Sequence, residues 1–581
     1  MRVCQFHHLS VVWETGAIKA GTAAGVKGIF GALPVAEPAG GGNVRAGMSC
    51  LSLKPSRALA AFALTAACIA QPLAAAGGAG GGGAAHVNEA PDGVKVAGGA
   101  SPAAAQKAPR TLAASARVNL AVKTGGVVRR ELFGVAYIAS AARARDPQIA
   151  RQLAALDAPV TSVSIGWFGR VRSGAAGDAA AGGDWREFDT VLAHLRALGL
   201  GTRDAPLLFA LGGPAKWFDV ADAAHRRVWA ETIAEAARRC ERAGVRVGFW
   251  ELWNEPDAQF GQGANARYKH LWAFYSEAAR ALKRVDPTLN AGGPALAWPH
   301  GGVLADFLKT CGADIDFVSY HQYSTGNYKT GTRAFLDGMA PRFFNEARGV
   351  KERVRRELGG SLGWRDRPVF LTEYNMNYDW NPGEQRQQDA TGAAYTAVTL
   401  FSAAAGGLER AAIWSAIGNS RFGLVHGDNI APSGRLLRVL AKWAPGESAL
   451  AEVSERGTTP PAAPPRVRVF ATVSAGAGAK ERKKNAPVTD CAVVLVNTDE
   501  VSPAVVDLAL VANAVANTAV NATANAADGF GGASPVPAFT RCEEFLVGST
   551  AAGGEFREAP PAVRSRVVLP PMSVLVRRYR R

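Results

Sequence analysis

Two glutamates that close apolar, strand-like runs are the residues of this sequence best placed to do chemistry. One lies in Gly248-Phe249-Trp250-Glu251-Leu252-Trp253-Asn254-Glu255-Pro256-Asp257, the other in Pro368-Val369-Phe370-Leu371-Thr372-Glu373-Tyr374-Asn375. Glu255 and Glu373 stand 118 residues apart, each flanked by aromatic side chains. An ionised carboxylate in such surroundings is costly unless it is paired or hydrogen-bonded, so its affinity for a proton can be tuned. Two carboxyl groups facing each other among flat rings suit the cleavage of a glycosidic bond. One protonates the leaving oxygen, the other attacks the anomeric carbon or activates water. Glu251 shares the strand parity of Glu255 but lies roughly 13 Å deeper at the rise of an extended chain, and reads as a buried structural carboxylate.

These residues need elements that bring them together. Between about 130 and 445, eight short apolar, β-rich runs recur: Leu132–Tyr137, Pro159–Ile165, Pro206–Leu211, Val245–Trp253, Leu289–Pro294, Ile315–His321, Pro368–Tyr374 and Ala411–Ser415. Helical patterns alternate with them, at 184–199, 224–243, 266–284, 333–358, 386–406 and 434–443. In the second of these, Trp229, Ile233, Ala236 and Cys240 fall on one face, and Gly244 stands where a helix-ending glycine belongs. Eight strands alternating with helices predict an α/β fold, a (β/α)8 TIM barrel, whose active site lies at the carboxyl ends of the strands. Glu255 would then close the fourth strand and Glu373 the seventh.

After 445 the texture changes to strand-like runs without helical periodicity: Arg466–Val473, Cys491–Asn497, Ala504–Leu510, Phe545–Val547 and Arg566–Val576. They predict a C-terminal antiparallel β-sandwich accessory domain over 446–581, with a disordered Ala/Asn/Gly-rich insertion near 511–534. Arg117–Val122, ahead of the first barrel strand, is a further candidate strand for it. The barrel is expected over 116–445, a Gly/Ala-rich linker over 77–115, and an N-terminal extension with a signal-like segment over 1–76. In that segment Lys54 and Arg57 precede an apolar run of 13 residues, Ala58 to Ala70, and Ala74-Ala75-Ala76 offers a small-residue cleavage site. The run is too short for a stable membrane span, so the chain reads as exported, to the periplasm or beyond.

Composition narrows the partners. Lys+Arg number 65 against 49 Asp+Glu, a formal net charge of +16. Loss of residues 1–76, which hold six basic and two acidic residues, would leave +12. The basic residues are scattered and mostly Arg, with no basic helix, which argues against nucleic acid. A carbohydrate partner fits, and the positive balance is compatible with an acidic exopolysaccharide. Cys240, Cys311, Cys491 and Cys542 follow the signal-like segment at spacings that match no metal site. A pair between Cys491 and Cys542 and four buried thiols both stay open, as does the oligomeric state.

The strings WELWNEPD at 250–257, FLTEYN at 370–375, DFVSYHQY at 316–323 and GGPA at 292–295 resemble glycoside hydrolase family 39, within the clan of retaining (β/α)8 glycosidases that includes β-xylosidases and α-L-iduronidases. The resemblance covers roughly 130–440. It implies an exported retaining glycosidase with Glu255 as acid/base and Glu373 as nucleophile, needing no metal and no organic cofactor. It further implies Asn254 on the sugar 2-hydroxyl, His321 and Tyr323 lining the site, Trp414 as the floor of the subsite, and Tyr374 and Trp253 beside the carboxylates. A packing role competes with each of these side chains. Loop residues Trp167, Trp217, Trp298 and Trp380 are candidate sugar platforms. One position departs from the family pattern. Many relatives carry an arginine at the end of the second strand, where this chain reads SVSIGWFGR over 162–170 and Arg170 comes late. A catalytically inactive glycan-binding protein on the same scaffold is the alternative reading.

Overall fold

The computed structural model describes residues 110–166, 184–212, 218–261, 266–299, 301–359, 366–379, 381, 383–418, 422–456, 465–474, 488–511, 539–548 and 551–581, with a short antiparallel pair, Arg2–Phe6 and Leu9–Trp13, at the start. The signal-like segment, most of the expected linker, the insertion after Val511, and Trp167, Arg170, Trp217 and Trp380 lie outside the described residues.

A long strand, β1 (Leu112–Val128), comes first. The barrel follows as β2 (Gly134–Ile138), β3 (Val160–Ile165), β4 (Leu207–Leu211), β5 (Val247–Glu251), β6 (Asn290–Leu296), β7 (Phe317–Thr325), β8 (Val369–Asn377) and β9 (Arg410–Ile413). Each pairs in parallel with its neighbours, and β9 closes on β2. All eight expected runs are barrel strands. Helices cross between them as the apolar spacing requires. Ala223–Ala243 begins at Asp222, whose carboxylate accepts from the Ala224 and His225 amides, and ends at Gly244 with φ 72°. Gly301–Cys311 was not legible as a helix, because it opens on two glycines that interrupt the apolar pattern.

Side chains alternate across each strand. Trp250, Val318, Tyr320, Leu371, Tyr374 and Met376 face the helices and join the main core. Leu208, Phe317 and Phe370, with Ala210 and Phe249, fill the base of the barrel interior. Phe317 and Phe370 stack at 5.0 Å. The buried Arg410 guanidinium lies 4.8 Å from the Phe249 ring and donates to the Thr161 carbonyl at 2.8 Å, with burial pushing its pKa down to about 10.

The second sheet is built from both flanks of the barrel. Its strands are β10 (Gly446–Arg456), β11 (Val467–Ser474), β12 (Asp490–Asn497), β13 (Ala504–Val511), β14 (Arg541–Gly548), β15 (Ala551–Ala559), β16 (Arg564–Leu569) and β17 (Ser573–Arg580). The order is β15-β14-β17-β12-β11-β10-β1-β13-β16. It is antiparallel throughout, except that β13 runs parallel to β1. Strand β1 therefore crosses the boundary expected at 116 and belongs to this sheet. Alternating residues from both halves of the sheet, among them Val118, Val469, Leu495, Leu508, Val567 and Leu575, share one core. The run expected as a single strand over Arg566–Val576 is two strands, broken at Pro570-Pro571 and at Met572, whose φ is 42°. Proline brings no ladder donor, so the chain turns there and reaches the middle of the sheet as β17.

Cys491 and Cys542 both sit opposite Tyr579 of β17, one on each side. A whole strand separates them, about 10 Å at the usual strand spacing and beyond disulfide reach. Both are free thiols. Helix Ala390–Ala405, apolar on every side, fills the space between barrel and sheet, where Phe401 stacks on Phe470 at 5.0 Å and 12°. Among the described residues no helix is long and apolar enough to cross a membrane.

Candidate active site

Both glutamates arrive at the carboxyl end of the barrel, each by a local irregularity. Strand β5 ends at Glu251, and three residues later the backbone turns left-handed at Glu255, with φ 46° and ψ 57°. A non-glycine residue held there is uncommon, and costs on the order of 1–3 kcal/mol unless the surroundings enforce it. The surroundings do enforce it. The Glu255 amide donates to the Ala295 carbonyl at 3.0 Å, and Pro256 opens the short helix that follows. The Asp257 carboxylate, two residues on, accepts from the Ala297 and Trp298 amides at 2.8 and 3.1 Å. The loop after β5 is thereby fastened to the end of β6.

Strand β8 uses a bulge. Its pairing with β7 slips between Leu371 and Glu373, leaving Thr372 as the extra residue. Leu371 and Tyr374 both face the helices, so Thr372 and Glu373 together face the barrel axis. The bulge aligns Glu373 with His321 and Asn375 with Tyr323 on the neighbouring strand.

The result is a buried cluster. Glu255 and Glu373 are each 4% exposed. Glu255, His321 and Glu373 each offer one donor atom, and the three lie within 4.8 Å of one another. The His321 Nδ1 is 2.9 Å from Glu255 Oε1 and 3.9 Å from Glu373 Oε2. The Tyr323 hydroxyl donates to Glu373 Oε1. Among the described residues this is the one group of three or more His, Cys, Asp or Glu side chains close enough to share a cation, and its mutual hydrogen bonds account for the close approach. Burial alone would lower the His321 pKa. The facing carboxylates of Glu373 and Glu255 overcome that and raise it to about 9. Burial and Glu373 also push the Tyr323 hydroxyl well up, so it stays a donor.

The structure brings together some of the expected residues and separates others. Asn254 is buried, and its Nδ2 has no hydrogen-bond partner, leaving a donor for a hydroxyl. Trp414 lies in one cluster with Tyr323, Ala136, Ala412 and Phe422, and its peptide bond to Ser415 is cis. Trp298 meets Tyr378 edge-on at 6.3 Å, and Tyr378 meets Tyr323 at 6.2 Å, so a wall of rings leads to Glu373. Trp253 and Tyr374 do not join the site. Trp253 packs against Phe218, Phe260 and Phe274, with its Nε1 on Gln259 at 3.2 Å. Tyr374 faces the helices from the opposite side of β8, fully buried. Tyr374 directly follows Glu373 on β8 and so faces the other side of the strand, whereas Trp253 lies past the end of β5, where the chain turns its ring into the main core. The loop-fastening role of Asp257 was missed, although its place two residues after Glu255, directly behind a helix-opening proline, is a sequence signal for such a contact.

Two carboxyl groups facing each other at the carboxyl end of an eight-stranded barrel are an arrangement suited to glycosidic cleavage. The comparisons agree. Residues 186–415 match the model of the glycosyl hydrolases family 39. A β-xylosidase of Caldicellulosiruptor saccharolyticus is 36% identical over 157 residues, 25% of this chain and 30% of the relative. A β-xylosidase of Geobacillus stearothermophilus is 31% identical over 180 residues, 29% of this chain and 34% of the relative. The chain thus spans about a third of the length of the curated relatives it matches. A monomeric β-xylosidase from Caulobacter crescentus shares the fold at TM-score 0.51 and 16% identity, over 80% of this chain and 99% of that one.

Two outcomes follow from this geometry. Removing the Tyr323 hydroxyl takes one charge-assisted hydrogen bond from Glu373, worth about 1.5–3 kcal/mol. Tyr323→Phe should therefore lower kcat/KM about 10- to 100-fold in steady-state assays while Tyr374→Phe changes it little; equal losses would contradict the two placements. The second concerns pH. The folded-state pKa of His321 is raised above its ordinary 6.5, so its protonation stabilises the fold fully below pH 6.5, and that contribution is lost as pH rises through about 9. Urea unfolding of the native protein should show this decline, and His321→Gln should flatten it.

Proposed function

We propose that this protein is a retaining glycosidase that hydrolyses O-glycosidic bonds of a poly- or oligosaccharide by double displacement. The observation that carries the reading is the approach of Glu255 and Glu373, which offer oxygens within 4.8 Å across the barrel mouth. Carboxyl groups about 5–5.5 Å apart suit retention, whereas inversion needs about 6.5–9.5 Å to admit water between them. Glu373, fixed by Tyr323, attacks the anomeric carbon. The leaving oxygen takes a proton from Glu255. Water, deprotonated by Glu255, then hydrolyses the glycosyl-enzyme. The His321 Nδ1 at 2.9 Å from Glu255 Oε1 orients the carboxyl that gives and recovers this proton. The Asn254 Nδ2 is the donor for a sugar hydroxyl, and Trp414, Tyr378 and Trp298 give the rings on which sugar faces rest.

The names of the curated relatives favour β-xylosides as the first substrates to assay. The positive net charge of the chain, +16, adds acidic exopolysaccharides to the panel. The charged, apolar and small-residue order from Met48 to Ala76 supports export with cleavage near Ala76. N-terminal sequencing of the protein from the producing cells should begin close to residue 77, and a mature chain that retains Met1 refutes export by this route.

The roles of the two glutamates separate by rescue. With an activated aryl β-glycoside, Glu255→Ala should keep part of its glycosylation rate but deglycosylate slowly, a loss of about 10²–10⁴-fold overall. Azide needs no base, so it should restore turnover and give the β-glycosyl azide. Glu373→Ala should fall about 10⁴-fold or more, and azide should there give the opposite anomer. Inverted product from the Glu255 variant would show the assignments to be exchanged. An unmodified protein that binds glycans but cleaves none would support the inactive scaffold instead.

A further inference from the structure

Directly beneath the catalytic cluster lies a polar layer that the mechanism above does not use. Alternation along β5 puts Phe249 and Glu251 on the barrel axis and Trp250 among the helices. The same parity on β7 brings Ser319 inward between Phe317 and His321, and the bulge in β8 brings Thr372 inward beside Glu373. Glu251, Ser319 and Thr372 thus form one tier, with a phenylalanine base below and the His321–Glu373 tier above. Glu251 is fully buried, and neither of its carboxyl oxygens has a hydrogen-bond partner. The hydroxyls of Ser319 and Thr372 also lack partners. They lie close enough to Glu251 to favour its charged form somewhat, yet short of formed hydrogen bonds. Among the described residues no cation forms an ion pair with Glu251. The titratable groups that act on it are His321, Glu373 and, from helix Ala266–Val285, Tyr275.

We propose that Glu251 is a positioning residue that works as an un-ionised carboxylic acid, forming with Ser319 and Thr372 a neutral polar floor that supports the bulge aiming Glu373 and the ring of His321. The inference rests on the glycosidase reading of the site above it. Burial decides the protonation state: it raises the affinity of Glu251 for its proton more than the facing charge of His321 lowers it, and Glu373 acts in the same sense as burial. An ionised Glu251 would put a negative charge in a closed, low-dielectric tier beneath Glu373, with neither an ion pair nor a formed hydrogen bond to offset it. A carboxylic acid, unlike an apolar side chain, gives each hydroxyl of the tier a partner after a small rotation. The Thr372 hydroxyl matters most, because Thr372 is the inserted residue whose inward position turns Glu373 toward the axis.

Infrared difference spectroscopy on the full chain tests the protonation state without calling on activity. Glu255→Gln is the background, so that Glu255 contributes no acid band. At pH 7 the C=O stretch of an un-ionised carboxyl should be present in this variant and vanish when Glu251→Gln is added. Loss of a carboxylate band instead overturns the proposal. Should the added substitution prevent folding, Thr372→Val in the same background removes a hydroxyl facing the acid and should move the band to higher frequency; an unmoved band overturns the proposal equally. With Glu255 intact, Glu251→Met should lower kcat about tenfold, what one buried hydrogen bond is worth, at nearly constant KM, and Glu251→Gln should recover most of that loss. Equal activity of the Met and Gln variants would mean that Glu251 only fills space. Absence of glycosidase activity in the unmodified chain would sink the function but leave the infrared result standing, so the two failures are distinguishable.

Discussion

Two carboxyl groups must sit within about 5 Å of each other in a place from which water is largely excluded, and the rest of this structure is organised around making that tolerable. Like charges at such a distance repel strongly where the dielectric is low, and each also loses its hydration. The chain answers with two neutral-to-positive partners from one strand. His321 lies between the glutamates and takes up charge. Tyr323 donates to Glu373 and cannot itself ionise beside it. Both come from β7, two residues apart, so a single extended strand delivers both compensating groups to the same face.

Strand ends alone do not aim side chains well enough for this. The barrel gives each strand a fixed exit, but the glutamates reach the axis through departures from regular geometry. Glu255 leaves β5 by a left-handed residue held by Ala295, and Asp257 ties the same loop to Ala297 and Trp298. Glu373 turns inward through one inserted residue. These features carry local cost, and they persist because neighbouring strands over-determine them.

The periodic part of the molecule was legible in the sequence, since burial writes itself as apolar spacing. Every barrel strand could be placed from apolar pattern, and both glutamates from their position at strand ends. Tyr374 was misplaced because neighbours along a strand face opposite ways, which motif adjacency hides, and Trp253 because the chain leaves regular strand geometry after Glu251. The bulge at Thr372 was not legible, because its signature is a slip against another strand rather than a residue type. The role of β1 was legible in part: Arg117–Val122 reads as a candidate strand of the second sheet, whereas its flanks in Leu112–Val128, weak in strand-forming residues, gain their structure by pairing with β10 and β13. The break at Pro570-Pro571 was visible in principle, and reading through it merged two strands that lie far apart in the sheet.

The second sheet reaches Glu373 through a short chain of contacts. Its β11 presents Phe470 to Phe401 of helix Ala390–Ala405. The same helix carries Tyr395, whose hydroxyl donates to the Asn375 carbonyl at 2.8 Å, two residues beyond Glu373, and accepts from Ser324 of β7 at 3.3 Å. The helix is buried on all sides, so it can shift toward neither barrel nor sheet without opening a void in one of them. Asn375 in turn donates through its side chain to the Trp414 carbonyl and accepts from the Met376 amide at 2.7 Å, joining the ends of β8 and β9. Truncating the sheet would therefore remove one wall of the slot that holds Tyr395, and with it the brace on the strand that carries Glu373. An accessory layer so connected braces the site, and among the described residues none of its side chains joins the cluster of Glu255, His321 and Glu373.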